Sequence, residues 1–475
     1  MGKRIQKDTP VDQRDYGVQQ TNNKTTRASK KGKREKPPAP PENLGNILAK
    51  TVKRFVPFLN GLFQQFPEHR QEGKLYYLMS HLLWSGIFMY LLLCGSKKQY
   101  RQDKRSDLFL KNLLLLSKTH EKTCCDPDTI EYFLKNFPYT FLETVPQRIV
   151  NHLIRIKSLD SYRFRGYFLI AMDCTGMQKY ELRHCKHCLK SKDRKGKPFY
   201  YHPVLEAKLV TPNGFAFSIA TEFIENPQEF PTKQDCEYNA FKRLAPKLKS
   251  YFPRLPFCLL LDALYLKQYT FELCDTYLWK YIITFKPGTS PSFYRNVWKE
   301  KQEKIQNRKT IQNKTLSQYF SWVNFMEYHE NCLTNALFCH EVTIKKDQTL
   351  KVNDFAWITN LHELSFNNVD KIANQGGRLR WKIENEGFNV QKNGGYDLEH
   401  SYSHNNNASK CWYFLLQIAH ALNQLMSKSN LFIDFSRQMG SLKNFAKRLV
   451  EHLRTILIDP DIFLINNYQI RFNSS

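Results

Sequence analysis

The apolar residues of this 475-residue chain change their spacing near residue 161, and that change limits the folds open to it. From about 49 to 160, Leu and Phe recur every three or four positions, notably over 108–116 (LFLKNLLLL), the period of helices that bury one face. Beyond 161 come short apolar runs bounded by turn formers. Residues 167–172 (YFLIAM) read as a buried strand ending at Asp173. Residues 200–210 and 215–224 read as two strands around Thr211-Pro212-Asn213-Gly214, whose Asn-Gly pair suits a hairpin turn. A helix at about 235–250 follows, then the strand 256–261 (PFCLLL) ending at Asp262, a further helix, and the strand 279–285 stopped by Pro287-Gly288. Residues 289–354, charged and aromatic, read as an insertion. Strand 355–360, a long helix at about 378–392 and an amphipathic helix at 411–426 complete the pattern.

Three strands with a hairpin, then helix, strand, helix and strand, is the chain order of the ribonuclease-H-like α/β fold. Its first and fourth strands lie side by side, so Asp173 and Asp262 are expected to meet at neighbouring strand ends. Four regions are expected: a disordered basic arm (1–48), a helical region for DNA binding and dimerisation (49–160), a catalytic domain (161–425, insertion about 289–354) and a C-terminal extension (426–475).

Charge narrows the partners. Lys and Arg number 71 against 44 Asp and Glu, a formal +27, which favours nucleic acid or an anionic membrane surface. A hydrophobic fraction of 41% excludes a chain disordered throughout. The 12 Cys and a polar, basic N-terminus suit a reduced cytosol. Residues 75–94 are uncharged and long enough to cross a bilayer. They carry Ser80, His81, Ser85 and Gly86, and no second such run occurs, so a core helix is expected and no membrane partner. In the arm, Lys30, Lys31, Lys33 and Arg34 are candidates for DNA-backbone contacts.

Phosphodiester cleavage needs positive charge at both the attacking and the leaving oxygen, which two Mg²⁺ ions on a few carboxylates supply. An acid at the end of each of two buried strands, with a third on a helix, is the pattern to seek. Asp173 and Asp262 fit the first part, and either could instead cap the turn that follows it. For the third, regular helical spacing sets Leu379, Ile383, Glu386 and Val390 on one stripe. Gly377, Arg380, Glu384, Gly387 and Gln391 fall on another. Glu384 thus shares a face with Arg380, while Glu386 competes with it.

Arg380-Trp381-Lys382-Ile383-Glu384 resembles the Arg-Trp-x-Ile-Glu core of the Tyr-Arg-Glu-Lys signature in DDE transposases of bacterial insertion sequences. Asp173-Cys174-Thr175 and Asp262-Ala263-Leu264-Tyr265 are similar to that family's first and second acidic motifs, and the insertion matches its branch with a strand-rich insert. The resemblance covers about 160–425. It implies Asp173, Asp262 and Glu384 as the catalytic, Mg²⁺-binding triad (Mn²⁺ substituting), with Arg380 and Lys392 on DNA. It also implies transposon-end and target DNA as partners, a homodimer in the DNA complex, and a bacterial cytoplasmic, nucleoid-associated enzyme that cleaves and joins DNA. The alternatives are another ribonuclease-H-like nuclease of the resolvase type, or a catalytically dead DNA-binding relative. The family's Tyr position is Gly377 here, and its Lys position is Gln391, one before Lys392.

His184-Cys185-Lys186-His187-Cys188 lies between the first two strands. Cys185 and Cys188 form a half-site for structural zinc, which wants four nitrogen or sulfur ligands. Further ligands would come from scattered residues such as Cys124, Cys125 or His202; the other reading is a basic, thiol-bearing hairpin tip.

Overall fold

The computed structural model describes residues 43–73, 75–228, 232–330, 332–400, 402–432, 439–465 and 468–472. The basic arm, with Lys30, Lys31, Lys33 and Arg34, lies outside them except at its end, where a helix starts at Leu44 rather than after 48.

Seven helices come first, as the three-to-four spacing predicts: α1 (Leu44–Phe55), α2 (Leu59–Gln65), α3 (Met79–Leu91), α4 (Lys97–Asp103), α5 (Asp107–Ser117), α6 (Pro127–Asn136) and α7 (Tyr139–Arg155). Side-chain caps start several of them: Asn43 accepts from Gly45 N, Ser106 from Phe109 N and Asp126 from Asp128 N. The apolar run at 75–94 becomes α3, with all thirteen side chains buried. Its buried histidine has internal partners. His81 Nε2 accepts from Cys125 N, and His81 Nδ1 lies 3.2 Å from Glu121. Gly86 permits a close helix crossing, because a Cβ there would stand 2.7 Å from Leu415 Cδ1. No helix among the described residues is long and apolar enough to cross a membrane.

The sheet begins with β1 (Phe168–Tyr180), β2 (Leu189–Lys192), β3 (Pro198–Val210) and β4 (Ala216–Phe223). β3 and β4 form the expected hairpin, with Gly214 at φ +86° in its turn. Then come α8 (Glu237–Tyr251), β5 (Phe257–Leu261), α9 (Gln268–Tyr277) and β6 (Lys280–Thr284). In space the order is β4-β3-β1-β5-β6, with β2 on the free end of β3. β1, β5 and β6 are mutually parallel, and β3 is antiparallel to β1.

The expected insertion is α10 (Pro291–Glu303) followed by β7 (Arg308–Gln312), β8 (Leu316–His329), β9 (Cys332–Ile344) and β10 (Leu350–Thr359). It is not a separate sheet. β10 pairs antiparallel with β6, so the order continues β6-β10-β9-β8-β7 in one ten-stranded sheet among the described residues. Next are α11 (Val369–Gln375), the irregular helical segment 377–393 ending in α12 (Val390–Asn393), α13 (Asn406–Ser427) and α14 (Leu442–Thr455).

Alternation along each strand gives the sheet two apolar faces. Ile170, Met172, Leu205, Ala207, Leu259 and Leu261 join the helical core of α1, α3, α7 and α13. Leu169, Ala171, Cys258 and Leu260 pack instead beneath Leu379, Ile383 and Phe388. The C-terminal segment, expected as an extension, returns to the first helices. Asn112 Nδ2 donates to the carbonyls of Leu453 and Ile456, and Leu44 N to His452 Nδ1. Residues 42–475 form one compact unit.

Candidate active site

β1 and β5 bring two acids together through register and parity. Ala171 pairs with Leu260 in the parallel ladder, and carrying that register on by two residues sets Asp173 beside Asp262. Both lie on the strand face that packs under Leu379 and Ile383, since they continue the series Leu169, Ala171 and Cys258, Leu260. Asp173, expected to close its strand, does not end it, because β1 continues to Tyr180 in its pairing with β3. Asp262 does follow the last residue of β5, and its Oδ1 also caps the next turn, accepting from Leu264 N at 2.8 Å.

Asp173 Oδ1 accepts from Cys174 N at 2.9 Å, and its Oδ2 accepts from Arg380 Nη1 at 3.2 Å. Burial pushes its carboxyl above the ordinary aspartate range; Arg380 opposes this, and the neighbouring charges of Asp262 and Glu384 add to it. Glu384 is therefore within electrostatic reach of Asp173, as Asp262 is. Glu386 is engaged elsewhere. It pairs with Lys382 at 3.0 Å, and its carboxyl faces the Gly214 turn.

The long helix expected at 378–392 is continuous but changes its winding along its length, and this overturns the two-stripe placement. Residues 377–380 wind tightly, Trp381 and Lys382 are α-helical, Ile383–Asn389 form a π-helical turn, and Val390–Asn393 return to α-helix. A π turn carries an extra residue, so positions beyond it rotate away from regular spacing. Glu384 is exposed, whereas Gly387 and Gln391, expected on its face, are buried. Two glycines of this segment lie close against neighbouring side chains. A Cβ on Gly387 would lie 3.2 Å from Lys208 Cδ, and one on Gly377 would lie 2.5 Å from Trp357 Nε1.

Gln391, where the resembled family has Lys, sits in a buried polar network. Its Nε2 donates to Gln417 Oε1 at 2.8 Å and to His420 Nδ1 at 3.0 Å, and Lys208 Nζ donates to the same Gln417 oxygen. Lys208 also lies 3.2 Å from Glu206, both fully buried, so a cation is present behind the turn but is sealed from solvent. Lys392 is half-buried and pairs with Glu399 at 3.0 Å, and its charge reaches Cys174, next to Asp173.

A fourth acid has no counterpart among the sequence candidates. Glu237, the first residue of α8, accepts from Tyr265 Oη at 2.7 Å. Burial raises its carboxyl to about 7, helped by the charges of Asp173 and Asp262. Nothing in the spacing around 237 marks it; the partner Tyr265, in the Asp262 motif, is the one usable clue.

The Cys-His segment lies in the connection from β1 to β2. Cys185 Sγ and Cys188 Sγ are 3.5 Å apart, and His202 Nε2 of β3 lies 3.5 Å from the first and 3.2 Å from the second. Cys124 and Cys125 are away from it, near Lys104 and Ser85.

No known protein family matches this chain, and no curated protein matches it. Among solved structures, it is similar to the piggyBac transposase in a synaptic complex with hairpin DNA, at 10% identity and a TM-score of 0.37. That match covers 87% of this chain and 81% of the other.

Proposed function

We propose that this chain is a DDE-class transposase of the bacterial insertion-sequence type. Its β4-β3-β1-β5-β6 strands form a ribonuclease-H-like catalytic core that cleaves DNA at transposon ends and joins it to a target. The observation that carries the reading is the pairing of Asp173 with Arg380, in the register that sets Asp262 beside Asp173 and under the turn bearing Glu384.

The residues fit hard divalent cations. Asp173, Asp262 and Glu384 offer carboxylate oxygens only, and their mutual repulsion is opposed at Asp173 by Arg380. A pair of Mg²⁺ ions, or Mn²⁺, held by these three would supply positive charge at the attacking and leaving oxygens of the phosphodiester. The chain's own residues do the positioning. Arg380 uses its Nη1 on Asp173, which leaves the outer donors of the guanidinium fork for a phosphate. Asp173 in turn holds the guanidinium in place, and the π turn keeps Glu384 at the surface where DNA arrives. Glu237, uncharged below about pH 7, lets three acids crowd together with less repulsion than four. Two copies would act together, one on each transposon end.

The test is a reaction of the full chain with duplex DNA from the inverted repeats flanking its gene, a target plasmid and Mg²⁺. Nicks at the repeat boundary, followed by 3′-ends joined to plasmid, are expected. Cleavage without joining would assign the chain to the resolvase-type nucleases, and DNA binding without cleavage to the inactive relatives.

A further inference from the structure

Away from the carboxylates, the geometry points to a second metal site of different chemistry: Cys185, Cys188 and His202 supply three of the four ligands of a structural Zn²⁺ ion. The three donor atoms form a triangle with sides of 3.5, 3.5 and 3.2 Å. Tetrahedral zinc with Zn–S near 2.3 Å and Zn–N near 2.0 Å requires edges of about 3.8 Å between sulfurs and about 3.5 Å between sulfur and nitrogen. The triangle needs only a slight expansion to accept the ion. A disulfide does not explain the approach, since its sulfurs would stand about 2.05 Å apart. Soft thiolates with an imidazole select zinc over the hard ions suited to the carboxylates.

The ligands are held independently of any ion. Cys188 and His202 are buried. Cys188 N donates to Cys185 O, closing a tight turn between the two thiols. Asn226, after β4, anchors that turn from outside: its Nδ2 donates to Cys188 O at 2.8 Å and its N to His187 O at 3.2 Å. His202 belongs to β3, four residues before Glu206, the partner of Asp173 in the ladder. At about 3.3 Å per residue, the zinc site lies roughly 13 Å along the strand from the acids.

What the ion does follows from what it pins. The finger between β1 and β3 carries Lys186, Lys190, Lys192, Arg194 and Lys195, and its Leu182 is 81% exposed. Like charges repel, and a metal staple would add to the order of a segment with little apolar burial. Tying both cysteines to β3 fixes the basic finger beyond the carboxylate end of the sheet.

Zinc content of the full-length protein, purified from zinc-supplemented cells without chelator, tests this. About one Zn per chain is expected. Cys185→Ser, Cys188→Ser and His202→Ala should each lose it at least tenfold, while Cys236→Ser, at an exposed thiol, should keep it. Should the ligand variants fail to fold, Co²⁺ exchanged into the wild-type protein gives a separate reading. Tetrahedral d–d bands with a thiolate charge-transfer band are expected. Absence of both zinc and those bands in the wild type overturns the proposal, as does undiminished zinc in a folded Cys185→Ser/Cys188→Ser double variant.

Discussion

Arg380 Nη1 lies 3.2 Å from Asp173 Oδ2 across 207 positions of sequence, and the pair ties the turn carrying Glu384 to the strand carrying the first acid. A guanidinium can hold a carboxylate and a phosphate at once through its fixed fork of donors, whereas an ammonium is a point charge. Arg380→Lys is therefore expected to lower the single-turnover cleavage rate by roughly tenfold or more while leaving DNA affinity nearly unchanged. A wild-type rate in this variant would reduce the pair to a structural tie.

The tight turn at 377–380 depends on backbone closeness at Gly377, where a Cβ would meet the Trp357 indole at 2.5 Å. Gly377→Ala should cost about 1–3 kcal/mol, the usual range for overpacking a filled site. Urea unfolding gives the number, and Trp357→Phe in the same chain should restore part of the loss. The close approach also accounts for the missing Tyr of the resembled signature, since no larger side chain fits beneath that ring.

Glu237 makes stability depend on pH in a defined direction. Its folded-state value, about 7, stands above the ordinary 4.5. Its protonated form is compatible with burial, so the penalty is absent below pH 4.5. The penalty grows as pH rises through 7, to about 3 kcal/mol at most. Without added divalent metal, Glu237→Gln should flatten the fall in unfolding free energy between pH 5 and 8.5. An unchanged slope would mean that the carboxyl is already ionised at neutral pH.

The arm makes a prediction of its own from charge. Lys30, Lys31, Lys33 and Arg34 precede the first helix among the described residues, which begins at Leu44, so removal of 1–42 spares that helix. The truncated chain should bind specific and random DNA more weakly alike. Its log–log salt slope should be shallower by about 0.9 for each DNA phosphate that the arm neutralises in the full chain. Mobility shifts at several salt concentrations read both quantities, and an unchanged slope would make the arm a bystander.

How much of this the sequence carries differs by element. The β3–β4 hairpin and the strand before Asp262 are legible because local turn chemistry and short apolar runs dictate them. The continuation of β1 past Asp173 is not, since the polar run Gln178-Lys179-Tyr180 is held by pairing with β3 rather than by its own pattern. The irregular helix at 377–393 reads as regular because the close packing of Gly377 on Trp357 and of Gly387 on Lys208 involves residues distant in sequence. Long-range pairing likewise hides the joining of β10 to β6 and the return of α14 to α1 and α5. Glu237 stays hidden for the same reason, as its environment is built by Tyr265, Asp173 and Asp262.

The central claim is that Asp173, Asp262 and Glu384 act as one carboxylate set on DNA, and Glu384→Gln tests it most directly. The substitution keeps size and hydrogen bonding at an exposed position, so folding should be unaffected. Nicking of the gene-flanking repeat DNA in Mg²⁺ should fall by about a hundredfold or more, the scale set by removing a metal's charge from the transition state. The mobility shift of the same DNA should be unchanged. Nicking at the wild-type rate by Glu384→Gln, or its loss in Glu386→Gln alone, would contradict the assignment.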